Sequence, residues 1–226
     1  MRILIACSML ENEIRMLIEK HDLQDLEVVW IKRGYHDKPE ELGRIVQEEI
    51  RRVEKSGADE ILIAYGLCGN GALGWVSESA RLVMPRFDDC INMILCPKKR
   101  TCRSLIETGR FYLTEGWCID ESSLGHMVDR AVERYGRKRG IRVMKQMLSS
   151  YHHITVIDTG CYELGPVKEY ADRCAEMLGF VVDITEGSTH VLEKLLAGPW
   201  DEDILIKEPG VPVRESDFAF VMEDNK

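Results

Sequence analysis

EILIAYGLCGNG, residues 60–71, decides the fold. After Glu60, its next five residues form an apolar run of strand length, and the run stops at glycine and asparagine, which favour turns. A strand covered on both faces reads as such a continuous run, and strands of this kind belong to parallel sheets. Upstream, RILIA (2–6) and LEVVWI (26–31) repeat the pattern, and LVM (82–84) follows downstream. Helical signals fill the gaps. Leu10, Ile14, Leu17 and Ile18 share a helical spacing. Leu42, Ile45, Val46, Ile50 and Val53 form one stripe, with Pro39 suited to the first turn and Gly57 to the stop. DCINMIL (89–95) reads as a helix.

The alternation resumes further on. FYLTEGW (111–117) reads as a strand entering a loop, and 122–150 carries helical periodicity with Gly125, Gly136 and Gly140 as candidate breaks. HITVIDTG (153–160), residues 165–180, VVDIT (181–185), residues 188–196 and DILIKEPG (203–210) alternate strand with helix. Residues 211–226 read as polar and peripheral. The expectation is an α/β fold of Rossmann-like strand–helix units, with mainly parallel sheets in one or two lobes. The divisions are 1–105 as an N-terminal lobe with cysteine-bearing loops, 106–150 as a helical connection, and 151–226 as a C-terminal lobe that can form one domain with the first.

The chain has 226 residues, 45% hydrophobic and 31% charged, which supports a packed core and excludes fibrous or disordered classes. No apolar run reaches the ~20 residues of a membrane span. The first residues lack the shape of a signal peptide, so a cytoplasmic location is expected. A formal charge of −9 disfavours nucleic acid as a partner. Eight cysteines in a chain without an export signal read as buried groups, metal ligands or reactive thiols rather than disulfides.

Ligands of open parallel sheets bind beyond the carboxyl ends of the strands, so those loops carry the chemistry. They hold Cys7, then His36 in RGYHDKP (33–39), then Cys68 in AYGLCGNG (64–71), then Cys90 in PRFDDC (85–90). Three cysteines and a histidine can close a zinc site, and three cysteines can hold a 4Fe–4S cluster with one iron open to a substrate. No C-x-x-C occurs, so the grouping depends on the fold. Gly66, Gly69, Asn70 and Gly71 let the backbone approach a bound group. Arg86 would offer a fixed positive charge to a small anionic substrate, and Asp88 or Asp89 would handle protons.

Each residue also has a plainer reading. Cys7 can be strand-end core, Cys90 a first-turn core residue, and His36 a surface loop histidine. Cys96 and Cys102 flank a basic PKKR turn, Cys118 and Cys161 can join a facing site, and Cys174 reads as core. The basic run RYGRKRGIR (134–142) reads as a solvated helix face. Gly69, Gly71 and Gly74 formally give G-x-G-x-x-G, which keeps a nucleotide reading open.

AYGLCGNG, PRFDDC, FYLTEGW, IDTGCY (157–162) and WDEDILIKEPG (200–210) together resemble an uncharacterised family of methanogenic archaea and anaerobic bacteria, often encoded beside corrinoid-dependent methyltransferases. The resemblance spans nearly the whole chain. It implies cysteines matching Cys7, Cys68 and Cys90 and a histidine matching His36. A further histidine is common before the third cysteine, where this chain has Asp89. The implied context is anaerobic one-carbon metabolism, with either a small-molecule substrate or a corrinoid methyltransferase as partner. The alternative is an accessory protein in which a cysteine or histidine ligates a corrinoid or other tetrapyrrole. Oligomerisation stays open.

Overall fold

A computed structural model describes residues 1–35, 38–98, 105–119 and 122–218. The first sheet is built from β1 (Arg2–Cys7), β2 (Glu27–Ile31), β3 (Glu60–Ala64), β4 (Arg81–Pro85) and β8 (Ile204–Lys207), in the order β2-β1-β3-β4-β8. The first four are parallel, and β8 runs antiparallel to β4. The second sheet, β5-β6-β7, is parallel and comprises Arg110–Leu113, His153–Asp158 and Val181–Glu186. The expected α/β architecture is therefore present, with two sheets.

Sheet membership cuts across the segments read from sequence. β5 lies within 106–150 yet pairs with β6, while β8 lies within 151–226 yet returns to the first sheet. Residues 211–218 are exposed or part-exposed for the most part but anchored at two points, and 219–226 lie outside the described residues. Val213 and Phe218 are buried in the core beneath Trp75, whose carbonyl accepts from the Val213 N–H. Two apolar side chains in a polar stretch give no periodic signal, so the burial was not legible.

The helices follow their stripes. In α2 (Pro39–Lys55), Leu42, Val46, Ile50 and Val53 are buried against the first sheet. Each fully buried side chain of this kind contributes about 1.5–3 kcal/mol. On the opposite face lie α1 (Glu11–Lys20), α3 (Cys90–Leu95) and α8 (His190–Ala197). The second sheet packs on α5 (Leu124–Tyr135), α6 (Arg137–Met147) and α7 (Leu164–Leu178). Of the three glycines read as breaks, only Gly136 interrupts the helical segment. Its φ of +76° takes the chain out of helix at a position a side chain resists. Among the described residues no helix is long and apolar enough to cross a membrane.

The two sheets meet at a seam. Ile157 of β6 is buried in the same core as α1 and α8, and the Ser188 N–H donates to the Ile94 carbonyl. The short helix α4 (Glu115–Cys118) presses Gly116 onto the Met9 carbonyl, a contact that leaves no room for a side chain. That contact carries Trp117 to the carboxyl edge of the first sheet.

Candidate functional site

The order β2-β1-β3-β4 reverses direction between β1 and β3, and a crevice outside the strand ends forms where neighbouring connections diverge. Cys7 ends β1 and Cys68 stands in the loop after β3, one on each side of that reversal. Cys90 opens α3 after β4. All three thiols line one cavity of about 30 Å³, with Met9, Tyr65 and Trp117 among its walls. Its volume matches about one water molecule's share of liquid, so it admits an ion and no organic cofactor without widening. Among the described residues, no group of three or more His, Cys, Asp or Glu stands in ligating geometry. The thiols share the cavity without closing on a common point. His36 lies outside the described residues.

The loop that carries Cys68 is held under backbone constraint. Cys68, Gly69 and Asn70 have φ of +48°, +63° and +74°, three consecutive left-handed residues. For cysteine this costs free energy that the surroundings must offset, as side chains at functional sites often require. The loop is pinned to the one after β4: the Leu67 N–H donates to the Phe87 carbonyl at 2.8 Å and the Cys68 N–H to the Asp88 carbonyl at 2.7 Å. Gly66 makes this approach possible, since a Cβ there would meet the Phe87 carbonyl oxygen at 2.5 Å. The backbone of Gly66 and of Cys90 lies near the Cys68 sulfur and favours its ionised form.

Burial dominates the electrostatics. It pushes the Cys68 thiol up to about 12 and the Cys90 thiol well above the usual range, and the neighbouring sulfurs add to both shifts. A nucleophilic cysteine needs the opposite shift, so these thiols are poor nucleophiles by themselves. They become thiolates when a cation takes their protons' place. Tyr65 is buried beside them. Its hydroxyl faces the Cys7 thiol without forming a well-shaped hydrogen bond, and burial raises its pKa well above that of a free phenol. An unsatisfied buried hydroxyl is costly, which makes it a residue to explain.

The other residues singled out from sequence fall into different places. Register pairs Glu60 with Arg81, and extending it sets Arg86 beside Tyr65. The Arg86 Nε is buried without a partner among the described residues, while its backbone N–H donates to the Asp203 carbonyl. Asp88 is exposed. Asp89 caps α3: its carboxylate accepts from the Asn92 N–H at 2.8 Å, and burial raises its pKa. Gly69, Asn70 and Gly71 face away from the thiols, onto an open cleft of about 890 Å³ shared with Lys38, Pro39, Glu40, Glu41 and Arg44. The G-x-G-x-x-G stretch does not open a helix. Residues 65–80 run through turns and bends directly to β4, so the helix terminus that would bind a phosphate is missing there.

Cys118, Cys161 and Cys174 do not join the thiol cavity. Cys118 and Cys161 donate to the Thr114 and Thr159 carbonyls at 3.3 and 3.4 Å, and Cys174 is buried in the core of the second sheet. Sequence reasoning missed Tyr65, Lys32 and Trp117 as cavity residues. Tyr65 carried a usable signal, because it stands one residue past β3, level with Cys7 once the register of Ala6 with Ala64 is extended.

No curated protein and no solved structure matches the chain. The family described as "Protein of unknown function (DUF1638)" matches residues 30–196, a span that includes Cys68 and Cys90 and begins after Cys7. The chain belongs to that family.

Proposed function

We propose that Cys7, Cys68 and Cys90 form a metal or iron–sulfur centre with a position open to a small substrate, in a cytoplasmic protein of anaerobic one-carbon metabolism. One observation carries this reading: three cysteines from three separate strand ends line a single small cavity at the reversal of strand order. Thiolate donors suit zinc and iron–sulfur clusters. The backbone near Cys68 would offset thiolate charge, as hydrogen bonds do around cluster sulfurs. A bound ion would draw the thiols inward by side-chain rotation, whereas a cluster would also have to widen the cavity. When bound, either group would supply a Lewis-acidic site. The protein's own part is to hold the thiolates, to exclude water with Met9 and Trp117, and to present the Tyr65 hydroxyl as a hydrogen-bond donor beside Cys7. The metabolic context, with methanogens, anaerobes and neighbouring corrinoid methyltransferases, rests on the resemblance of the sequence motifs.

The test is anaerobic purification followed by measurement of iron, zinc, cobalt and sulfide. Iron with equimolar sulfide and a broad absorbance marks a cluster, zinc alone a mononuclear site, and cobalt a corrinoid. Cys68→Ser should abolish the bound metal. Metal content unchanged in that variant, or a metal-free native protein, overturns the centre.

A further inference from the structure

Beside the thiol cavity lies a second, larger opening. It is an open cleft of about 580 Å³, lined by Ser8, Lys32, Arg33 and Gly34 from the first sheet and by Ile119, Ser122 and Arg130 from the second lobe. Lys32 and Gly34 also line the thiol cavity, so the two spaces share a wall. The cleft's described lining includes the cations Lys32 and Arg33, together with Arg130, which is engaged within the chain. Other exposed cations of this acidic chain, such as Arg15, Lys20 and Arg44, are paired with glutamates. Among the described residues neither Lys32 nor Arg33 meets a carboxylate.

Each of the two cations is placed by the parallel register. Cys7 pairs with Ile31, which puts Ser8 level with Lys32 at the very end of β1 and β2. Arg33 then turns back and donates from Nε and Nη2 to the Ser8 carbonyl, at 3.3 and 3.1 Å. The guanidinium is thereby held at the Ser8 carbonyl, and among the described residues it forms no salt bridge with a carboxylate. A cation held in this way is organised for an oxyanion before the ligand arrives, and less entropy is lost on binding.

We infer that this cleft binds a small carboxylate- or phosphate-bearing molecule, anchored by Lys32 and Arg33 and so held with its other end toward the thiol cavity. The inference deepens the proposed function, from which it takes the thiol cavity as the reacting centre. It also moves the anion-binding role expected of Arg86 to the loop after β2.

Malonate and inorganic phosphate serve as probes, titrated calorimetrically at constant ionic strength into the anaerobically purified full chain. At least one should bind with one-to-one stoichiometry. Lys32→Gln and Arg33→Gln should each weaken it about tenfold, the scale of one charge-assisted hydrogen bond. Lys168→Gln, on the far surface of α7 and paired with Asp172, should leave it within twofold. Preference for malonate or for phosphate assigns the head group. Arg33→Gln can disturb the Ser8 carbonyl, so Lys32→Gln, whose side chain makes no bond within the described chain, is the deciding variant. Absence of binding for both probes at millimolar concentration overturns the inference, as does native affinity in Lys32→Gln. Metal content of the same samples separates the two claims. Anion binding in a metal-free protein keeps the cleft and removes the centre, and metal without anion binding does the reverse.

Discussion

The two sheets each bring cysteines to their carboxyl side, and they use the sulfur in opposite ways. At the first sheet, the backbone of Gly66 and Cys90 opposes part of the rise that burial gives the Cys68 thiol, and the loop that presents it runs through three left-handed residues. At the second sheet, Cys118 and Cys161 each point a thiol at a carbonyl oxygen. A thiolate cannot donate a hydrogen bond, so the second arrangement needs the proton, whereas among the described residues the Cys68 thiol gives its proton to no carbonyl oxygen. The contrast teaches that cysteine count and burial do not identify a ligand. On the proposed reading, the polarity of the groups around the sulfur is what separates Cys68 from a core thiol.

The sharpest way to break this comparison is a serine series read by metal content. Cys7→Ser, Cys68→Ser and Cys90→Ser should each drop bound metal to background, while Cys118→Ser and Cys161→Ser should keep the native stoichiometry. Loss of metal from Cys161→Ser would show that the seam, rather than the first sheet alone, builds the centre. Cys7 is the most informative of the five, because it stands outside the residues matched by the family while sharing the cavity with two cysteines inside them.

A second comparison sets backbone contacts at the two edges against each other. Gly66 touches the Phe87 carbonyl and the Asp89 N–H, so a methyl group there forces apart the two loops that hold Cys68 and Cys90. Gly66→Ala should lower unfolding stability by about 3 kcal/mol, the cost of overpacking a site that cannot give way. It should also lower metal retention. Gly165, near the start of α7, has nothing within 4 Å of an added Cβ. Gly165→Ala should therefore raise stability by about 0.5 kcal/mol through the helix preference for alanine. Urea unfolding of both variants checks the pair. Equal and small effects would mean that the loop contact at Gly66 is loose.

Much of the first sheet was legible because its strands are unbroken apolar runs, each separated by a helical stripe. The convergence of Cys7, Cys68 and Cys90 was legible for the same reason, since a parallel sheet sends successive strand ends to one edge. The direction of β8 was not. ILIK reads as strand, but nothing in an apolar run tells parallel from antiparallel pairing or names its partner. Lys32 and Arg33 carry no signal in sequence because charged loop residues are normally solvated, and only their lack of carboxylate partners among the described residues sets them apart. The burial of Val213 and Phe218 depended on Trp75, a residue far away in the chain.

The smallest expected effect lies at the seam itself. Glu13 of α1 is 1% exposed and accepts a hydrogen bond from the Thr159 hydroxyl, just past β6, at 2.8 Å. Burial raises its pKa above the ordinary 4.5, and the nearby Glu115 carboxylate adds to the rise. The sign follows from linkage. Below the ordinary value both folded and unfolded chains carry the proton, and the buried carboxyl is fully compatible with folding. As pH climbs past that value the unfolded chain ionises first, so stability declines until the folded carboxyl ionises as well. Glutamine has no such transition and still offers an oxygen to Thr159. Glu13→Gln should therefore match the native protein at pH 4 and exceed it at pH 8 in thermal midpoint, with the gap opening between those limits. A gap that is constant with pH would mean that water reaches Glu13. A native protein more stable than the variant at pH 8 would mean that the ionised carboxylate has a cationic partner across the seam. Either result would remove Glu13 from the description of the seam as a neutral, buried joint, in contrast to the charged cleft that opens beside the thiols.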